Sequence, residues 1–175
     1  AFQRWNGNRA IFVMYGGSYD FNQLLRDIPE PAARAINEGS KRGLLAYTYF
    51  NLNGRRYGAR MIPRKFITLC ELDENGEIAR RVIIYDVIGF FQSTFITCVK
   101  SWLGKNYVDL PIIERGKESR TDFSEWNIND IKRYTRAELR ALVAIMDKFR
   151  SALVDLNLSI DKWHGAGAIA GVILD

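Results

Sequence analysis

Three carboxylates border or interrupt apolar segments of this 175-residue chain, and such carboxylates are the raw material of acid–base and metal chemistry. Asp20 follows the apolar run Ala10-Ile11-Phe12-Val13-Met14-Tyr15 across the turn Gly16-Gly17-Ser18-Tyr19. If that run is a strand, Asp20 stands just past its carboxyl end, where α/β sheets place ligands and catalytic groups. It can equally cap a helix beginning at Phe21, with Gln23 completing an Asp-x-x-Gln capping box. Glu138 offers a similar choice. On a helix it lies at the centre of the stripe Leu142, Ile145, Phe149 and Leu156, with Tyr134 one turn earlier on the same side. Yet Thr135-Arg136-Ala137-Glu138 also fits a Thr-x-x-Glu capping box, with Tyr134 and Leu139 as its hydrophobic staple. Asp86, inside Ile83-Ile84-Tyr85-Asp86-Val87-Ile88, either lines a polar site or ends a strand and bonds to neighbouring backbone.

Other chemistries find less support. His164 is the single histidine, so no second imidazole exists to share a zinc ion. Cys70 and Cys98 lack Cys-x-x-Cys spacing and read as core thiols of a reducing compartment. Gly165, Gly167 and Gly171 do not follow a strand, which argues against a dinucleotide-binding loop. The net charge of +5 and pI of about 9.3 come with paired cations: Lys41-Arg42, Arg55-Arg56, Arg64-Lys65, Arg80-Arg81 and Lys132-Arg133. Such pairs suit a surface that follows phosphates. Tyr47, Tyr49, Phe50 and Tyr57 supply aromatic rings on which single-stranded bases could stack.

The elements that must position these residues are legible in outline. The run 10–15 predicts a strand buried on both faces, and Phe21, Leu24, Leu25 and Ile28 predict a short helix ended by Pro29 and Pro31. A second helix runs through Ala32–Ile36 to Gly39. Strands over 65–72 and 80–88 flank Asp73-Glu74-Asn75-Gly76, a hairpin signal that predicts antiparallel pairing. A helix is expected over 90–103 up to Gly104, irregular polar chain over 106–129, and a long helix along Leu139, Leu142, Val143, Met146, Phe149, Leu153 and Leu156. Strands mixed with helices predict an α/β fold. A composition of 47% hydrophobic and 26% charged residues suits one globular core. The N-terminus lacks a secretory-signal pattern, and no apolar run approaches the roughly 20 residues that a bilayer span needs, so neither secretion nor a membrane partner is expected.

In their order along the chain these segments resemble the exonuclease domain of family B DNA polymerases, in particular the phage, plasmid and organellar branch that includes protein-primed enzymes. Tyr15-Gly16-Gly17-Ser18-Tyr19-Asp20-Phe21-Asn22-Gln23-Leu24-Leu25 looks like that branch's second exonuclease motif. Tyr85-Asp86-Val87-Ile88-Gly89-Phe90-Phe91 is similar to its next strand, and Tyr134-Thr135-Arg136-Ala137-Glu138 resembles the third motif, Tyr-x-x-x-Asp. Trp163-His164-Gly165-Ala166-Gly167 looks like the passage leading toward a polymerase domain.

The resemblance implies an RNase H-like mixed sheet flanked by helices, with residues 1–160 forming an exonuclease-like domain and 161–175 opening the connection to a polymerase domain. It implies 3′-to-5′ hydrolysis of single-stranded DNA ends by two Mg²⁺ or Mn²⁺ ions. Asp20 and Glu138 would be metal ligands, Tyr134 the hydroxyl that orients the attacking water, and Tyr19, Arg64, Lys65 and Lys117 contacts to nucleic acid. It implies an intracellular setting, in the cytoplasm of a bacterial or phage host or in an organelle. Three departures stand out. The Asp-x-Glu strand of the first motif is expected ahead of Ala1, Gly16 stands where the second motif carries asparagine, and Glu138 replaces the usual aspartate. They imply an incomplete metal site and a chain without activity in isolation. The alternative expectation is a non-catalytic, RNase H-like nucleic-acid-binding or structural subunit of a larger assembly.

Overall fold

The protein is described by a computed structural model over residues 4–5, 9–43, 46–119 and 122–174. Over these residues it is an α/β protein that divides into two compact units, Phe2–Phe90 with Asp161–Ala168, and Phe91–Ile160 with Ile169–Asp175.

The first unit is built on a mixed five-stranded sheet of order β3-β7-β6-β5-β4. A small antiparallel ladder of β1 (Arg4–Trp5) and β2 (Arg9–Ala10) comes before it in the chain. β3 (Phe12–Met14) lies parallel to β7 (Ile78–Asp86). β4 (Thr48–Leu52), β5 (Arg55–Ile62), β6 (Phe66–Leu72) and β7 then form an antiparallel meander. The run expected as a doubly buried strand is thus a three-residue edge strand of intermediate burial, because β7 pairs with it on one side alone.

Local chemistry explains both tight hairpins. Between β4 and β5 the turn is Asn53-Gly54, with φ of 51° and 75°, the doubly left-handed conformation that Asn-Gly adopts most readily. Between β6 and β7 the expected hairpin forms over a longer loop, residues 73–77. There the Asp73 carboxylate accepts hydrogen bonds from the Asn75 and Glu77 amides, each at 2.9 Å.

Helices α1 (Ser18–Leu24) and α2 (Glu30–Lys41) follow β3, and α2 packs on β4 and β5. Phe21, Leu25 and Ile36 join Ala59, Met61 and Ile67 in a buried core beneath one face of the sheet. Burying side chains of this size contributes about 1.5–3 kcal/mol each before entropy is subtracted. Pro31 suits the first turn of α2, where its missing N–H leaves no helical bond unmade.

A one-turn helix, α3 (Ile88–Phe91), follows β7. The second unit is helical: α4 (Phe95–Leu103), α5 (Leu110–Glu118) and the 28-residue α6 (Ile128–Asp155) pack pairwise. The helix expected over 90–103 is therefore two, broken at Gln92 (φ 48°) and restarted by Thr94, whose hydroxyl accepts from the Thr97 amide at 3.2 Å. The segment expected to be irregular contains α5, where Leu110, Ile113 and Gly116 recur at helical spacing and are buried. Phe91, Trp102 and Phe149 meet edge to face at centroid distances of 5.3–6.1 Å. The chain continues into α7 (Gly167–Leu174). Among the described residues no helix is long and apolar enough to cross a membrane.

Candidate functional site

The residues singled out by sequence fall into two clusters, one in each unit. In the sheet unit, the carboxyl ends of the parallel strands β3 and β7, the amino end of α1 and the β5–β6 turn lie together. Tyr19, Asp20, Arg64, Lys65 and Asp86 are all at this end. Tyr19 is 71% exposed, and Asp20, Arg64 and Lys65 are exposed as well.

The capping reading of Asp20 does not hold. α1 begins at Ser18, Gly17 is its N-cap, and no side chain caps it, so Asp20 sits within the first turn. A carboxylate there still interacts favourably with the amino end of the helix.

Asp86 organises this end. Its side chain is fully buried, and Oδ1 accepts from the Gly16 amide at 2.8 Å and the Ile88 amide at 3.1 Å, while Oδ2 accepts from the Gly17 amide at 2.9 Å. Three backbone donors around one carboxylate hold the β3–α1 turn against the end of β7. The two glycines are required for separate reasons. Gly16 has φ +68°, and a Cβ on Gly17 would collide with the Met14 side chain. Asp86 is thus the strand-ending, backbone-bonding residue of the two readings above. The Asp86 amide in turn donates to the Lys65 carbonyl at 2.8 Å, tying the Arg64-Lys65 turn to the same point.

His164 lies beside this end, its ring 6.3 Å from Phe66 and 6.4 Å from Tyr85. Burial lowers its pKa, with smaller contributions from Lys65 and Lys162. Burial pushes the Tyr85 hydroxyl up, assisted by Asp161. Gly89 makes room for the His164 carbonyl, against which any Cβ would clash.

In the helical unit, α6 starts at Ile128 under an Asn127 cap that accepts from the Asn129 and Asp130 amides at 2.8 and 3.0 Å. Tyr134, Thr135 and Glu138 are therefore interior, and the capping box is ruled out: the Thr135 hydroxyl donates to the Ile131 carbonyl at 2.9 Å. The buried stripe runs through Tyr134, Ala137, Ala141, Leu142, Ile145 and Phe149, whereas Leu139 and Leu156 are 49% and 68% exposed.

Lys117, on α5, forms an ion pair with Glu138, their side chains 19% and 26% exposed. Its ammonium also lies 5.9 Å from the Tyr134 ring centroid and 5.5 Å from that of Phe95. Tyr134 is 7% exposed and packs on Trp126 and Phe123 at 5.9 and 6.2 Å. Gly116 permits the arrangement, since a Cβ there would run into the Tyr134 ring. Lys117, Tyr134 and Glu138 are thus brought together on one patch of the helical unit.

Among the described residues no three of His, Cys, Asp and Glu converge as a metal-holding group. Asp86 is occupied by backbone amides and Glu138 by Lys117. Asp20, in the sheet unit, and Glu138, in the helical unit, are each hard oxygen donors of the kind that suits Mg²⁺ or Mn²⁺.

Sequence reasoning put Tyr47, Tyr49, Phe50 and Tyr57 on one surface. Phe50 and Tyr57 stack at 6.1 Å, and Phe50 packs on the core beneath α1 and α2. The strand register puts Tyr49 on the opposite face, with Tyr47 at 6.0 Å. Adjacent strand residues point to opposite sides, so Tyr49 and Phe50 cannot share one. Arg56 and Arg60, which sit over Tyr49 and Tyr47, were missed as partners of those rings, although their even spacing on β5 marks them as neighbours on one face.

Compared with known proteins, the chain matches no protein-family model, no curated protein and no solved structure.

Proposed function

We propose that this chain is the 3′-to-5′ proofreading exonuclease segment of a family B DNA polymerase, with an RNase H-like fold and single-stranded 3′ ends of DNA as substrate. The observation that carries the reading is the convergence of Lys117, Tyr134 and Glu138. They lie on two helices, and the motif resemblance had assigned them to one site. A sheet with one parallel pair, and Asp20 just beyond the carboxyl end of that pair, agrees with it.

In this reading the Tyr134 hydroxyl orients the attacking water and Lys117 neutralises a phosphate oxygen. Glu138 is released from Lys117 when the phosphate takes the ammonium. Asp20 in the sheet unit and Glu138 in the helical unit would each offer a carboxylate oxygen to a divalent ion. Divalent ions, if held there, would supply an activated water and a positive charge for the leaving 3′ oxygen.

The test uses the protein as its gene encodes it, including whatever is read upstream of Ala1. With Mg²⁺ or Mn²⁺ it is expected to shorten 5′-labelled single-stranded DNA from the 3′ end. Asp20→Ala and Glu138→Ala are each expected to lower the rate by about a hundredfold or more at an unchanged unfolding midpoint. Full activity in both variants would sink the catalytic assignment.

The Lys117–Glu138 pair favours a second reading, a binding module without catalysis, because the carboxylate already has its cation. That reading predicts DNA binding without metal-dependent cleavage in the same assay.

A further inference from the structure

The sheet face opposite α1 and α2 carries a row of alternating rings and guanidinium groups. Gly58 is directly across from Tyr49 in the ladder, and a Cβ on it would come within 2.9 Å of both the Tyr49 ring and the Cys70 sulfur. The absence of a side chain at Gly58 is what lets the Tyr49 ring lie across β5. Tyr47 stacks on Tyr49 with ring centroids 6.0 Å apart and planes 27° from parallel. The Arg56 guanidinium lies 5.6 Å from the Tyr49 centroid, and that of Arg60 lies 4.7 Å from Tyr47 and 5.9 Å from Phe66. Phe66 continues the row to Tyr85 at 6.4 Å and His164 at 6.3 Å, which is the end of the sheet where Lys65 and Asp86 lie.

The charge that the strands themselves place on this face has one sign, and Asp161 lies near its Tyr85 end. Arg56, Arg60 and Arg81 alternate onto it along β5 and β7, and no Asp or Glu of the five strands does so. The acidic strand residues Glu71 and Asp86 alternate onto the other side. Tyr49 is 47% exposed, and Arg56 and Arg81 are exposed.

We propose that this face binds single-stranded DNA, with a base stacked on Tyr49 and adjacent phosphates neutralised by Arg56 and Arg81. Arg60, set between Tyr47 and Phe66, stiffens the row beneath. Exposed ring faces recognise unpaired bases without regard to sequence, and guanidinium groups beside them meet the backbone that joins those bases. A duplex hides its base faces, so the stacking chemistry selects single strands. The choice of DNA over RNA rests on the exonuclease reading above; the stacking does not.

The test is the affinity of the full chain for a short labelled oligothymidylate at low salt, read by fluorescence anisotropy. An abasic strand of equal length and an oligouridylate serve as controls. Tyr49→Ala is expected to weaken oligothymidylate binding by about five- to a hundredfold, and Tyr49→Phe to stay within about twofold of the unsubstituted protein. The abasic strand is expected to bind more weakly and to be indifferent to Tyr49→Ala. Equal affinity of the unsubstituted protein for abasic and base-bearing strands would overturn the proposal whatever the variants do. Unchanged binding by Tyr49→Ala, or tighter binding of oligouridylate, would overturn it as well. Loss of metal-dependent cleavage with Tyr49-dependent binding intact would instead sink the catalytic reading and leave this one standing.

Discussion

At the scale of single residues, Asp86 shows how an acidic side chain in an apolar strand can be structural. Its two oxygens accept three backbone amides in a fully buried setting, and the amide donors come from residues 16, 17 and 88. Asp86→Asn would turn one end of that acceptor into a donor aimed at another donor. The expected cost is about 2–4 kcal/mol, measured by urea unfolding, because a buried amide is left unpaired next to a lost charge-assisted bond. An unchanged midpoint would mean the β3–α1 turn does not depend on the carboxylate. His164 gives a pH-dependent counterpart. Burial lowers its folded pKa below 6.5, so the unfolded chain binds its proton more readily. Stability from this group is present above pH 6.5 and is lost as pH falls below it. A plot of unfolding midpoint against pH should fall more steeply below that value in the unsubstituted protein than in His164→Gln. Parallel curves would remove the group from the account.

Whole elements are positioned by small residues and by paired charges. α5 and α6 approach where Gly116 faces Tyr134. Arg140 binds the Asp109 carboxylate through Nε and Nη2, both at 2.8 Å, and this holds the Asp109 pKa below its ordinary value. Gly116→Ala would force the Tyr134 ring to move, and with it the neighbour of Lys117 and Glu138. The expected result is a loss of about 1–3 kcal/mol and altered near-ultraviolet circular dichroism from the Trp126–Phe123–Tyr134 cluster. A variant of unchanged stability and spectrum would show that the helices adjust freely. α5 itself was hidden in the sequence because its nine residues carry Pro111, Gly116 and several charges, which resemble loop composition more than an amphipathic pattern. The Asn53-Gly54 hairpin was as legible as the one after Leu72. It joins β4 to β5 within a segment rich in tyrosine and arginine.

For the molecule as a whole, a net charge of +5 says little until the sheet sorts it. If Arg56 and Arg81 each neutralise one phosphate, the affinity for single-stranded DNA should fall by roughly sevenfold between about 50 and 200 mM salt, from a slope near −0.7 per contact. Affinity independent of salt would mean the guanidiniums do not meet the backbone. Sequence alone determined the α/β class, the hairpin between β6 and β7, the long amphipathic helix and the acidic candidates. Those features depend on periodicity, turn chemistry and residue type within a few positions. Tertiary structure decided that Asp86 serves the backbone, that neither Asp20 nor Glu138 caps a helix, that Lys117 finds Glu138 across two helices, and that Tyr49 and Phe50 part company. Each of these depends on register, helix start or partners distant in sequence, and local pattern cannot fix such long-range geometry.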